Sequence, residues 1–245
     1  MTDSSIGPRV ALVTGASRGL GKTLSRFLAG EGFDLVLTAR GSEALIATAT
    51  ELAVFGTRVR TRSGDVADPE HRRQLALLVG SLGRLDLLVN NASELGPSPL
   101  PELAFYPLPE LERVYRVNVV APIALVQELL PFLEHAQGRV VNISSDAAIG
   151  GYPGWGGYGA SKAALDLASR TLAHELRDRG ISVVSVDPGD LRTSMHQAAF
   201  PGQDISDRPL PEVTLPFWAW LLNQPSGAVS GHRFQAQADR WEVPA

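Results

Sequence analysis

Short runs of apolar and β-branched residues recur along the chain, and a stretch of helix length follows each of them. RVALVT (9–14) leads to a helical pattern from about residue 20, DLVLT (34–38) to an alanine-rich stretch over 42–55, and RVRTR (58–62) to residues 69–82. LDLLVN (85–90) leads through a proline-rich loop to a long helical pattern over 108–135. RVVNIS (139–144) leads through a glycine-rich loop to a helix opened by Tyr158. ISVVSV (181–186) comes next, then a loop-and-helix region, then GHRFQAQ (231–237). Several runs are apolar throughout instead of alternating, which suits strands buried on both faces of a parallel sheet. Strand–helix repetition with right-handed crossovers predicts an α/β fold, a doubly wound parallel sheet with helices on both faces. No repeat or linker interrupts the pattern, so residues 1–245 are expected to form one domain. Two irregular stretches fall at the carboxyl edge of the sheet, where such folds bind ligands: residues 93–109, with five prolines, and residues 190–216. Loops of this length tend to be functional, and residues 190–222 are expected to act as a substrate lid.

Composition narrows the classes. With 44% hydrophobic and 20% charged residues the chain can build a sizeable core. A net charge of −4 argues against a nucleic-acid partner. There is no cysteine, which excludes disulfides and thiolate metal sites and suits a cytoplasmic location. The five histidines are scattered without HExxH spacing, so no metal site is expected. No unbroken apolar run reaches the length of a membrane span, and the opening MTDSSIGPRV lacks the layout of a secretory signal.

Three places carry chemistry. After the first strand comes GASRGLG, with Gly15, Gly19 and Gly21 spaced G-x-x-x-G-x-G around Ser17, Arg18 and Leu20. Such a turn either caps a helix or lets the backbone approach a pyrophosphate at the helix N-terminus; its place after a strong strand favours a nucleotide. The second strand ends in Ala39 and Arg40, where an acidic residue would hold the ribose hydroxyl of NAD. Arg40 either faces solvent or, with Arg18 opposite, forks onto a 2′-phosphate, which favours NADP(H) over NAD(H). The third place is YGASK, where Tyr158 and Lys162 stand four apart on one helix face. Only two of the 22 basic residues are lysine, so a lysine here stands out. The pair is either a solvated neighbour pair or an acid–base pair.

TGASRGLG (14–21), DV (65–66), NNAS (90–93), Asn118, ISS (143–145), YGASK (158–162) and DPG-x-x-x-T (187–193) follow one another in an order that resembles the single-domain short-chain dehydrogenases/reductases. The resemblance covers about residues 9–193. It implies a seven-stranded Rossmann-like sheet ordered 3-2-1-4-5-6-7, and it assigns roles. Tyr158 would be the general acid/base. Lys162, together with the positive nicotinamide, would lower the phenol pKa, and it would hold the nicotinamide ribose; bringing a phenol from its ordinary pKa near 10 to neutrality corresponds to roughly 4 kcal/mol. Ser145, in preference to Ser144, would hydrogen-bond the substrate oxygen. Asn118 would hold a relay water or else serve as a packing amide. Asp65 and Val66 would frame the adenine, Asn90 and Ala92 would line the cleft, and Pro188, Gly189, Leu191 and Thr193 would hold the nicotinamide carboxamide. The helices over 108–135 and 158–179 would pair in a homodimer or homotetramer.

Four features depart from that pattern: Ser93 in place of a glycine that could adopt positive φ, the longer proline-rich loop, Asp187 before Pro-Gly, and HRFQAQ in place of an Asp-Gly-Gly ending. For the substrate, an apolar, partly aromatic wall is expected from Tyr152, Trp155, His196, Phe200 and the FWAW run with Phe217, Trp218 and Trp220, at least one of the tryptophans being core. The expected activity is hydride transfer between NADP(H) and a small ketone, aldehyde or secondary alcohol. The alternatives are a 3-oxoacyl thioester (acyl-carrier-protein) reductase, with Arg192 and Arg208 as docking cations, and a non-catalytic NADP-binding regulator.

Overall fold

The computed structural model describes residues 7–243, so the first six residues of the opening stretch lie outside the described residues. The apolar runs become strands β1 (Val10–Thr14), β2 (Asp34–Ala39), β3 (Val59–Ser63), β4 (Leu87–Asn90), β5 (Arg139–Ile143), β6 (Ser182–Asp187) and β7 (Arg233–Gln235). They form one parallel sheet in the order β3-β2-β1-β4-β5-β6-β7, as the resemblance implies. Side chains alternate across the sheet, so β1 serves two cores at once. Ala11 and Val13 face a layer containing α1 (Gly19–Gly30) and α2 (Ser42–Leu52). Val10 and Leu12 face the opposite layer, with α3 (Pro69–Gly80) and the helices that follow β4 and β5. Double burial is why β1, β2 and β4 read as unbroken apolar runs. The edge strand β3 is half-exposed, in keeping with its arginines.

The long helical pattern is two helices joined by a wide turn. α4 (Leu108–Tyr115) passes through a π-turn at Arg116–Val120 into α5 (Ala121–Ala136). Pro122 has no N–H, so the carbonyl of Asn118 lacks the donor a regular helix would offer it four residues on. By length and composition Leu108–Ala136 would also suffice to cross a membrane, with mean hydropathy 1.4 in its most apolar window. A search for unbroken apolar runs misses this because Gln127 and Glu128 interrupt the sequence. In the fold, Leu125, Val126, Leu129 and Leu133 of α5 are buried against the sheet.

Beyond β5, α6 (Gly156–Glu175) lies on the same layer as α5 and ends against Ile181 and Val183. α7 (Ser194–Ala199) follows β6. α8 (Leu215–Leu222) and α9 (Ser226–Val229) then lead into β7. The expected lid over 190–222 is therefore divided. Residues up to Phe200 reach the cleft, whereas α8 packs into the core beside α1.

Arg233 of β7 joins three other elements at the carboxyl edge of the sheet. Its Nη2 lies 3.0 Å from Asp187 Oδ2 at the end of β6 and donates to the Ser145 carbonyl beyond β5 (2.8 Å). Its Nε lies 3.1 Å from Asp166 of α6, whose same oxygen accepts from Ser144 (2.8 Å). Burial pushes the Asp187 carboxyl up, and the Gly189 N–H and the guanidinium oppose that. The HRFQAQ ending thus supplies the counter-ion for the Asp187 that departs from the family pattern. Replacing Arg233 by Met is expected to cost roughly 3 kcal/mol, at the low end for a broken buried pair because Arg233 is 22% exposed. The combined Arg233→Met/Asp187→Asn variant should recover part of that loss in urea unfolding. An unchanged midpoint in the single variant would refute the role.

Candidate active site

A cleft of about 790 Å³ runs along the carboxyl ends of the strands, across the switch between β1 and β4. Its first wall is the glycine turn. Gly15 and Gly19 sit at φ +67° and +53°, left-handed conformations that favour glycine. A Cβ on Gly21 would collide with the Gly15 carbonyl and the Asn91 side chain, so the turn packs against its own helix only as glycine. Asn91 ties the turn down by donating to the Thr14 carbonyl (2.8 Å). The Thr14 hydroxyl accepts from the backbone of Asn91 and Ala92, 2.9 Å each. Ser17, Arg18, Gly19 and Leu20 line the cleft here, and no acidic residue stands in the first turn of α1 to compete with an anion for its N-terminus.

The expected Asn90 is not on this wall. Its amide donates to Asn142 of β5 (2.8 Å) inside the sheet, and Asn91 and Ala92 line the cleft instead. Neighbouring residues of a strand point to opposite faces, so a position taken from a motif can miss by one.

Arg40 is on the rim beside Ala39, its side chain 57% exposed and 3.1 Å from Glu94. Glu94 also faces Arg113 (3.6 Å), which reaches Asp65 (3.3 Å). Asp65 accepts from Ala67 N, and with Val66 it lines the same end of the cleft. Arg40 therefore belongs to an ion cluster at the cleft mouth, not to open solvent.

At the other end Tyr158 stands in the first turn of α6 and Lys162 one turn on, only 1% exposed. Lys162 Nζ donates to the Ile143 carbonyl at the end of β5 (2.7 Å) and lies 5.5 Å from the centre of the Tyr158 ring. The hydroxyls of Ser93 and Ser145 reach the phenol and favour its ionised form. Burial outweighs them and pushes its pKa up to about 12. Burial likewise pushes Lys162 down to about 8, against the pull of Asp166. The expected lowering of the phenol pKa is thus not produced by the protein's own groups, because desolvation disfavours both charges.

Ser144 is committed to Asp166 inside the fold, whereas the Ser145 hydroxyl faces the cleft and donates to the neighbouring Asp146 (3.0 Å). Ser93 has negative φ and needs no glycine conformation. Asn118 differs from expectation. Its amide donates to the Glu94 carbonyl (2.9 Å) and Ser161 (2.9 Å), and its oxygen accepts from Glu94 N (2.7 Å) and Ser93 (3.1 Å). The side chain is a saturated brace with nothing left for a water. A relay through this residue has only the main-chain carbonyl, which faces the donorless Pro122.

Pro188, Gly189, Leu191 and Thr193 line the far wall. Gly189 takes φ +72° and donates to Asp187 (3.0 Å), and Thr193 caps α7 by accepting from His196 N (3.2 Å). Trp155 meets the Tyr158 ring edge-on at 5.9 Å and Phe200 at 6.0 Å, and His196 lies 5.0 Å from Phe200. Tyr152 stands at the mouth. The expected Phe217 is absent from this wall. It is fully buried and in ring contact with Trp218, Trp220, Phe234 and Trp241, because α8 packs its aromatic run onto the sheet. Sequence reasoning missed Asn91, Leu95, Asp146, Met195 and Ala198 as lining residues. Only Asn91 and Asp146 carried a signal, as neighbours of motif positions.

The geometry agrees with what known proteins resemble this chain. A family model described as short chain dehydrogenase matches residues 9–204. A 3-oxoacyl-[acyl-carrier-protein] reductase of rhamnolipid biosynthesis from Pseudomonas aeruginosa is 38% identical over 78% of this chain and 76% of its own length. Sepiapterin reductase from Xenopus laevis is 36% identical over 80% and 78%. A putative short chain dehydrogenase from Escherichia coli CFT073, solved in complex with NADPH, superposes with a TM-score of 0.87. It has 32% identity and covers 95% of this chain and 98% of its own. This chain belongs to the short-chain dehydrogenase family.

Proposed function

We propose that the protein is an NADP(H)-dependent reductase of ketones or aldehydes, with the secondary or primary alcohol as product. The observation that carries this reading is the convergence of Tyr158, Ser145 and buried Lys162 at one end of a cleft whose other end is the glycine turn.

The residues fit a dinucleotide. The left-handed Gly15 and Gly19 and the close-packed Gly21 leave backbone N–H groups free to face a pyrophosphate. Arg40 beside neutral Ala39 suits a 2′-phosphate, and the NADPH-bound relative supports that preference. When bound, the reduced dinucleotide would supply the hydride and leave a positive nicotinamide behind. Ser145 and Tyr158 hold the carbonyl oxygen. As the carbon gains hydride, Tyr158 passes its proton to that oxygen, and the alkoxide leaves as alcohol. Lys162, where protonated, stabilises the phenolate left behind. A phenol held high by burial is a protonated acid at neutral pH, the form that reduction needs. The Pseudomonas relative supports a second reading, a 3-oxoacyl thioester as substrate, for which exposed Arg192 beside the cleft is the docking cation.

Tyr158→Phe should cut NADPH oxidation with a panel of ketones, aldehydes and 3-oxoacyl thioesters by about 10²–10⁴-fold while NADPH still binds. Full activity in the variant would sink the reading, and NADPH binding without turnover in either protein would favour a regulator. Arg40→Ala should weaken NADPH by roughly 10- to 100-fold, the loss of charge-assisted bonds, and NADH hardly at all. Equal weakening of both would remove the 2′-phosphate assignment.

Lys162 also leaves a signature on stability. Its folded pKa of about 8 lies below the ordinary 10.5, so between those values the unfolded chain holds more protons and stability rises with pH. Tyr158 acts in the opposite sense only above its ordinary value of 10.0. The cofactor-free protein should therefore gain on Lys162→Met in urea unfolding between about pH 7.5 and pH 9.5. A gap that stays constant would contradict this.

A further inference from the structure

The carboxylates on the cleft wall are neutralised by arginine, with one exception. Glu94 has Arg40 and Arg113, Asp65 has Arg113, Asp187 has Arg233 and Asp190 has Arg208. Asp146 has none: among the described residues no Lys, Arg or His nitrogen comes within 4.0 Å of it. It is half-buried and lines the cleft directly after Ser145, in the cleft that Trp155 and Phe200 also line. Its charge is felt there, since it holds the Tyr152 phenol above its ordinary pKa.

Asp146 also controls the serine. The Ser145 hydroxyl donates to Asp146 Oδ1 (3.0 Å), which accepts from Ala147 N as well (2.8 Å). A hydroxyl has one proton to give. Ser145 can offer it to a substrate carbonyl only if Asp146 finds another donor. A substrate that brings a cation satisfies the carboxylate and releases the serine in one step. A substrate with an apolar group there takes water from a carboxylate that has the Ala147 N–H and the Tyr152 hydroxyl but no cation, and an anionic one is repelled. The aromatic faces of Trp155 and Phe200 also suit a cation.

We propose that Asp146 determines specificity, and that the substrate class is an aryl or alkyl ketone carrying a protonated amine close to the carbonyl. This rests on the reductase reading above, and the test separates the two. The probes are β-(dimethylamino)propiophenone, cationic at neutral pH, and its carbon isostere in which C–H replaces the ammonium N–H. NADPH oxidation should favour the amine in kcat/KM by roughly 10- to 100-fold, the worth of a charge-assisted bond, and Asp146→Asn should collapse that ratio. Equal use of both ketones by the wild type, or an equal loss on both in Asp146→Asn, would overturn the proposal; the latter would mark Asp146 as a purely structural support for Ser145. Binding of the same two probes to Tyr158→Phe, followed by Trp155 fluorescence or calorimetry, keeps the outcomes distinct. Asp146-dependent binding of the amine without turnover in the wild type would remove the reductase reading and leave the cation site standing. Binding that ignores Asp146 would remove the site.

Discussion

The guanidinium of Arg233 is the contact on which the catalytic end depends. It reaches the site from the last strand of the sheet, at the far end of the sequence from the glycine turn. Through it β7 holds the carbonyl of Ser145, the carboxylate that closes β6 and the carboxylate one turn beyond Lys162 on α6. Taking three charges out of water is costly, and hydrogen bonds to the cluster offset part of that cost, although Asp166 Oδ1 is left without a partner among the described residues. The groups that donate them are the Gly189 N–H and the hydroxyl of Ser144. The cluster therefore sets the distance between the strand that carries Ser145 and the helix that carries Tyr158. No other link among the described contacts joins those three elements through one side chain. An arginine suits this task, since its planar fork serves several oxygens at fixed angles where an ammonium would serve as a point charge.

The rarity of lysine sharpens what Lys162 does. Arginines hold structure elsewhere: Arg72 reaches the Val66 carbonyl and Glu128, and Arg139 reaches main-chain carbonyls of Leu221 and Gln224. Among the described residues Lys162 has only the Ile143 carbonyl within hydrogen-bond reach, and burial drives its pKa into the range where it can lose a proton. An arginine in that place would stay charged. The protein alone thus leaves both members of the pair nearer their neutral forms, a phenol that keeps its proton and an amine close to giving one up. That arrangement is suited to passing a proton outward, and the charges that bind in the cleft decide how far it shifts.

Much of this was legible in the residues. Unbroken apolar runs announced strands buried on both faces, because β1, β2 and β4 have helices above and below. The motif order fixed the sheet order, which periodicity alone does not determine. The glycine turn, Ser145, Tyr158 and Lys162 come together along one cleft. The failures have physical causes. Asn90 and Asn91 differ by one position and therefore by one face of the sheet. Phe217 and Phe200 are equally aromatic in sequence, and only the packing of α8 against α1 and β7 separates a core ring from a cleft wall. Asn118 could be placed by motif, but the four groups that saturate its side chain come from Ser93, Glu94 and Ser161 and have no sequence signature. The pairing of Asp187 with Arg233 joins residues 46 apart and is visible only when β7 lies beside β6.

The two ends of the cleft are held by different means, and this bears on what each can recognise. At the dinucleotide end the walls are main chain at strand ends, locked by Thr14 and Asn91 and packed too closely to accept a Cβ at Gly21. At the carbonyl end the wall is the segment from Pro188 to Phe200, which includes a helix of only six residues. Its attachments include a few side-chain bonds. Gln237 donates to the carbonyls of Pro188 (2.9 Å) and Asp190 (3.1 Å), and Ser98 of the proline-rich loop donates to that of Ala198 (2.6 Å). The longer proline-rich loop thus has a definite use, bracing α7 from across the cleft. With the Arg192 N–H on the Pro209 carbonyl (2.8 Å) and the Arg208–Asp190 pair (3.3 Å), these bonds hold a wall that can be reshaped by changing a few side chains while the dinucleotide end stays as it is. Asp146 lies at the joint between the two regimes, carried by a strand end yet facing the adaptable wall. Its charge follows Ser145 directly beyond β5, so the strand end that positions the serine positions the carboxylate with it.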